Sequence, residues 1–106
     1  MTPYIVIFIT AQDLTQARKI SQQLLEQHLA ACVNILDGVQ SAFWWQGKVD
    51  SAAEVLLVVK SHRQFLAEIM HRVKTIHSYD VPEILALPVL DGNPQYLQWI
   101  DESLQR

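Results

Sequence analysis

The sequence predicts an α+β fold in which helices pack on one face of an antiparallel sheet. Four apolar segments rich in β-branched residues have the composition of strands. Between them lie two segments whose apolar residues recur every three or four positions, as in amphipathic helices. The order is β-α-β-β-α-β with one further helix at the end. At 106 residues we expect a single domain spanning 1–106.

The first strand and helix follow from local patterns. Tyr4 to Ile9 is an unbroken apolar run, which predicts a central strand buried on both faces. Asp13, followed three residues later by Gln16, resembles a capping pair. We therefore expect the first helix to run from Leu14 to about His28.

A long hairpin comes next. One strand is predicted over Ala31 to Trp45, with a bulge or bend at Asp37-Gly38, and Gln46 to Lys48 turns the chain back into a strand over Val49 to Lys60. Fully extended, the first arm would reach roughly 50 Å, whereas a helix of 10 to 16 residues spans only about 15 to 25 Å. The hairpin should therefore overhang the helices.

In the last third of the chain, prolines and turn residues separate short helices and strands. Ser61 and Gln64 resemble a capping box for a helix that ends near His77, and prolines bound a short strand over Glu83 to Leu87. Asn93-Pro94 has the N-cap and first-turn residues of a final helix. The complete order is that of the ferredoxin-like βαββαβ sheet, with two helices on one face and a C-terminal helix, a fold that does not itself select a function.

Composition and charge restrict the partners. The formal net charge is −3, so the chain presents no broad positive field, and we expect neither nucleic acid nor a membrane as a partner. No apolar run is long enough to span a bilayer and the start lacks a secretory pattern, which predicts a cytoplasmic protein. A single cysteine agrees with a reducing compartment.

Three adjacent aromatic residues, Phe43, Trp44 and Trp45, fall at the tip of the predicted hairpin. This tip is hard for the core of a small domain to cover, and exposed apolar patches mark interaction surfaces. A subunit interface is the first interpretation. A stacking platform for a ligand or a nucleobase is the alternative.

Five motifs are spread over nearly the whole chain: LAACVNI at 29–35, SxFxWxGK at 41–48, EVLLVVKS at 54–61, HSYDVPE at 77–83 and YLQWI at 96–100. Together they closely resemble the CutA family, the divalent-cation tolerance proteins. The resemblance implies a ferredoxin-like subunit assembled into a tight homotrimer, in which each long hairpin extends the sheet of its neighbour.

The resemblance also implies weak binding of copper or another divalent cation, with Cys32 and His77 as candidate ligands. A thiolate suits Cu(I), and an imidazole suits copper or zinc. Family members proposed to bind copper carry two further donors, at positions that hold Ile9 and Ile76 here. Taken alone, Cys32 also suits a small buried hydrophobe and His77 a helix terminus, so both interpretations stay open.

The remaining polar residues within the motifs are candidates for a pocket. Glu54 and Lys60 have the same strand parity, so they could face the same side and form part of a polar pocket between subunits, or else form an ordinary salt bridge. Tyr79 and Glu83 complete the candidate set. No nucleophile, base and orienting partner can be read together, which predicts a protein that is not an enzyme. The leading hypothesis is a trimeric divalent-cation tolerance protein that binds copper; the alternative is a trimeric small-ligand sensor with clefts between subunits.

Overall fold

A computed structural model describes residues 2–105, which form one four-stranded sheet in the order β2-β3-β1-β4 with every pair antiparallel. This order confirms the predicted ferredoxin-like arrangement. The strands are β1 (Tyr4–Ala11), β2 (Cys32–Trp45), β3 (Lys48–His62) and β4 (Ile84–Pro88). The helices are α1 (Leu14–Glu26), α2 (Leu66–Ile76) and α3 (Pro94–Ser103), with one turn of 3-10 helix at Arg63–Phe65 before α2.

One face of the sheet carries α1 and α2 and forms the core. Alternate strand residues such as Ile7 and Leu57 are fully buried against helix residues such as Ile20 and Ile69. The other face is largely uncovered, because neither helix packs on it. The prediction that β1 is buried on both faces is therefore wrong for the single chain, because Tyr4, Val6 and Phe8, which alternate to the uncovered face, stay partly exposed.

The terminal helix packs beside the sheet end rather than over the core. Its Ile100 and Leu104 are buried in a small second cluster with Ala31. The Tyr4 hydroxyl donates a 2.6 Å hydrogen bond to Asp101 Oδ2, which joins α3 to the start of β1. No helix among residues 2–105 has the length and hydrophobicity needed to cross a bilayer.

The hairpin of β2 and β3 extends beyond the helices, as predicted. It folds back through Gln46 and Gly47, whose φ angles of 50° and 77° are both positive, as a two-residue type I′ turn requires. The register shift between Leu36 and Val39 confirms the bulge, and Gly38 supplies its positive φ of 75°. The molecule measures 44 Å along its longest axis and 26 and 23 Å along the others.

Two predicted helix boundaries are wrong. The first helix ends at Glu26, because His28 takes a left-handed φ of 54° and its ring bonds the Ser103 carbonyl. Ser61 does not cap the second helix: β3 continues to His62, and the buried Ser61 hydroxyl donates to the Leu29 carbonyl at 2.5 Å. The His62 ring accepts from Gln64 N instead.

Candidate functional site

A cavity of about 950 Å³ lies between the overhanging hairpin and the loop that leads into β4. Its size is that of pockets which bind small molecules. Three of the four predicted pocket residues line it, namely Glu54, Tyr79 and Glu83.

A hydrogen-bond chain fixes the polar wall of this cavity. The Tyr79 hydroxyl donates to Glu54 Oε2 at 2.8 Å, and the Tyr79 backbone N–H donates to His77 Nδ1 at 3.0 Å. Since Nδ1 accepts, the 2.7 Å contact of His77 Nε2 with the Thr10 carbonyl assigns the ring proton to Nε2. The imidazole therefore ties the loop to the end of β1 with both nitrogens engaged.

The cavity changes the proton affinity of two groups. Burial, with the Glu54 hydrogen bond and charge, raises the pKa of Tyr79 to about 12. Burial and the Glu54 charge raise the pKa of Glu83 above its usual 4.5. The phenol therefore stays neutral at physiological pH and acts as a donor.

The fourth predicted pocket residue, Lys60, lies six positions along β3 from Glu54 and outside the cavity lining. Its ammonium group hydrogen-bonds Asn34 Oδ1 and lies 3.9 Å from Cys32 Sγ. Tyr96, a residue of α3, also lies near Cys32. Burial, and then Cys32, raise the pKa of its phenol. Lys60, on the inner strand β3, therefore belongs to a second polar group with Cys32 and Asn34 of the outer strand β2 and Tyr96 of α3.

The two metal-ligand candidates do not meet within one chain. Cys32 is in register with Lys60, which pairs with Val6, whereas His77 contacts Thr10, four residues further along β1. That offset is roughly 13 Å at about 3.3 Å per residue. Among residues 2–105, no group of three or more His, Cys, Asp or Glu side chains could hold a metal ion. The donors of one chain, described over this range, do not fit a copper ion.

The three aromatic residues at the hairpin tip face two different surfaces. Phe43 and Trp45 line the cavity, while Trp44 alternates to the other side of the strand and is 76% exposed. Trp45 keeps 59% of its surface exposed and Phe43 keeps 38%. The predicted interface patch is thus also, in part, the aromatic wall of the candidate site.

Sequence reasoning missed several residues of both polar groups. Asn34 has the same strand parity as Cys32, a signal that would have placed the two on one face. Asp50 and Asp80 also line the cavity. Asp80 lies within the HSYDVPE motif, whereas Asp50 looks like an ordinary solvated position in the sequence. Thr10 acts through its backbone carbonyl, and Tyr96 arrives on α3, so neither carries a local signal.

Comparisons with known proteins agree with this fold. The family model described as CutA1 divalent ion tolerance protein matches residues 5–103. A crystal structure of CutA from Xylella fastidiosa superposes with a TM-score of 0.94 at 36% identity, covering 98% of this chain and 100% of that one. The divalent-cation tolerance protein CutA of Thermus thermophilus is 45% identical over 92% of this chain and 95% of its own.

A plant relative is longer. The chloroplastic CutA 1 protein of Oryza sativa is 41% identical over 95% of this chain, which spans 57% of the rice protein. The match to the family model extends from β1 to the end of α3.

Proposed function

Because the chain belongs to the CutA1 divalent ion tolerance protein family, we propose that it serves in divalent-cation tolerance as a homotrimer. The supporting observation is the uncovered face of the sheet. Its apolar side chains remain exposed to solvent in the single chain. They include Leu36 at 45%, Leu85 at 59% and Leu87 at 42%.

These side chains lie on or beside open strand edges. β2 and β4 are the outer strands, so each leaves unpaired backbone donors and acceptors that native proteins rarely expose over such lengths. Further copies of the same chain would cover the apolar face and pair the edges together. Besides the apolar face and the strand edges, the exposed Trp44 at the hairpin tip offers a third surface for contact between subunits.

Sedimentation equilibrium tests the assembly. We expect a mass three times the 12.1 kDa of one chain. Leu85→Glu, which puts a charge on the uncovered face, and Trp44→Ala should both shift the population toward monomer. The matched control is Leu25→Glu on α1, which is 40% exposed on the helical side and should leave the trimer intact. A monomeric wild type, or equal dissociation in the control, would contradict the proposal.

We propose that the assembled trimer, rather than one chain, binds copper or another divalent cation weakly. Cys32 lies at the start of an outer strand, where neighbouring subunits can bring additional donors. His77 is a weaker candidate, since its ring nitrogens are both hydrogen-bonded. Soft thiolate donors select Cu(I) among the ions concerned.

Titration of the metal-free protein with Cu(I), Cu(II) and Zn(II) tests this point. We expect Cys32→Ser to weaken Cu(I) binding and His77→Ala to have the smaller effect. Unchanged affinity in both variants would remove the site assignment.

The cavity supports a second candidate function, a trimeric small-ligand sensor. The cavity is concave, and its walls combine aromatic rings with carboxylates. Such a site is more typical of small-molecule binding than of a metal centre. The family is named for cation tolerance rather than for a reaction, and we propose a role that is not enzymatic. If no metal binds at micromolar levels while a metabolite raises the melting temperature, the sensor is favoured.

The cytoplasm remains our proposed location. The related Archaeoglobus fulgidus protein is described as periplasmic. Cell fractionation distinguishes the two compartments.

A further inference from the structure

Charge is divided unequally between the two layers of the fold. The helical layer, defined as α1 together with the segment 63–76 that contains α2, holds five of the chain's eight lysine and arginine residues but only two of its eleven aspartate and glutamate residues. Its formal charge is therefore +3 and that of the remaining chain is −6, although the whole chain has a net charge of −3. A chain that is acidic overall thus has one basic face. The five basic residues are Arg18, Lys19, Arg63, Arg72 and Lys74.

The basic side chains of the helical layer point to solvent. Four of the five are exposed and Arg72 is half-buried, whereas the apolar residues of both helices, such as Ile20 and Ile69, are buried against the sheet. The proposed trimer covers the opposite face of the sheet with neighbouring copies, so the helical layers of a closed three-fold assembly face outward. The basic face is therefore accessible in the trimer as well as in the single chain.

The helical layer does not suit a membrane surface. Helices that lie in the membrane interface insert an apolar face, but the apolar faces of α1 and α2 are buried in the core. Within 14–26 and 63–76, Leu25 is the one large apolar side chain that is exposed, at 40%. The three layers of a trimer also face different directions, so a flat bilayer would not contact all of them.

Nucleic acid does not suit this layer either, because its charge density is too high. α1 has 13 residues and is about 20 Å long, and a DNA duplex presents about twelve phosphate charges over that length. A formal charge of +3 neutralises few of them, while the −6 of the remaining chain repels a polyanion. An acidic protein segment carries fewer charges and matches the basic face more closely.

We propose that the helical layer docks an acidic segment of another protein, whose carboxylates pair with the basic side chains of α1 and of 63–76. This interaction goes beyond divalent-cation tolerance, and it uses the proposed trimer only to establish which face stays free. A trimer presents three such layers, so a partner with repeated acidic segments binds with avidity.

Fluorescence anisotropy with a labelled deca-glutamate peptide tests the surface. We expect Lys19→Gln and Lys74→Gln, both exposed, each to weaken binding of this peptide by about threefold, and the double variant by about tenfold. Lys48→Gln at the hairpin turn removes the same charge outside the layer and is the matched control, with a change below about 1.5-fold expected. Binding should also weaken as the salt concentration rises.

The same protein is titrated with phosphatidylserine vesicles and with a DNA duplex. Tighter binding of either one than of the peptide overturns an acidic protein segment as the occupant. Absence of peptide binding at millimolar concentration, or an equal loss in Lys48→Gln and Lys19→Gln, overturns the docking surface itself. Sedimentation of the same samples reports on the trimer separately, so failure of the docking surface is distinguishable from failure of the proposed assembly, and unfolding curves verify that the variants fold.

Discussion

The Ser61 hydroxyl offers a sensitive test of the packing described here. Ser61 and Leu29 are both fully buried, and Ser61 Oγ donates to the Leu29 carbonyl at 2.5 Å. Ser61→Ala removes the donor and leaves a buried carbonyl without this bond. The expected loss is about 1–3 kcal/mol in the free energy of unfolding, the cost of an unsatisfied buried polar group. The substitution removes little volume, so a cavity contributes little to this loss.

Urea unfolding at one fixed protein concentration measures the effect, because assembly makes apparent stability concentration-dependent. The matched control is Ser103→Ala, whose hydroxyl donates to the Trp99 carbonyl at 2.8 Å on an exposed helix surface. The control should change stability by less than about 0.5 kcal/mol. An equal loss in the two variants, or none at Ser61, would refute the assignment of Ser61 as a buried tether.

Three further predictions concern the turn, the cap and the cavity. Gly47→Ala places a Cβ at φ +77° and should cost about 1 kcal/mol in urea unfolding, whereas Gln46→Asn, which suits a positive φ, should not destabilise the hairpin. Asp13→Ala removes the acceptor for Gln16 N and should cost about 1 kcal/mol by the same assay. Because folding raises the pKa of Glu83 above 4.5, its contribution to stability is present below that pH and is lost as pH rises through the folded pKa. Glu83→Gln should thus raise the melting temperature at pH 7 but not at about pH 4; an equal shift at both pH values would contradict a Glu83 carboxylate destabilised by burial and by the Glu54 charge.

The sequence alone determined the features that depend on a few consecutive residues. Asp13 accepts from Gln16 N as its spacing predicts, and Asn93 caps the last helix ahead of Pro94. Gly38 marks the bulge, since only a residue tolerant of positive φ fits there without strain. Local backbone sterics and capping act within one turn, so a short pattern is sufficient to reveal them. The order of these elements then indicated the sheet topology.

The candidate site was partly predictable. The motifs predicted Glu54, Tyr79 and Glu83 as pocket residues, and all three line one cavity in the structure. Strand parity predicts that Lys60 and Glu54 face the same side of β3, but six residues along an extended strand span roughly 20 Å, which is too far for a contact between the two side chains.

Only the tertiary structure decided which side chains are tethered and which faces are covered. The bond from Ser61 spans 32 residues and replaces the capping role predicted for that residue. The bond of His77 to Thr10 spans 67 residues and is made in addition to the predicted position of His77 at the end of α2. In the same way, an apolar run such as β1 shows that a strand is suited to burial, but the placement of α1 and α2 determines that one face alone is buried within the chain. These contacts join residues that are distant in sequence, and their free energy depends on burial that no local pattern specifies.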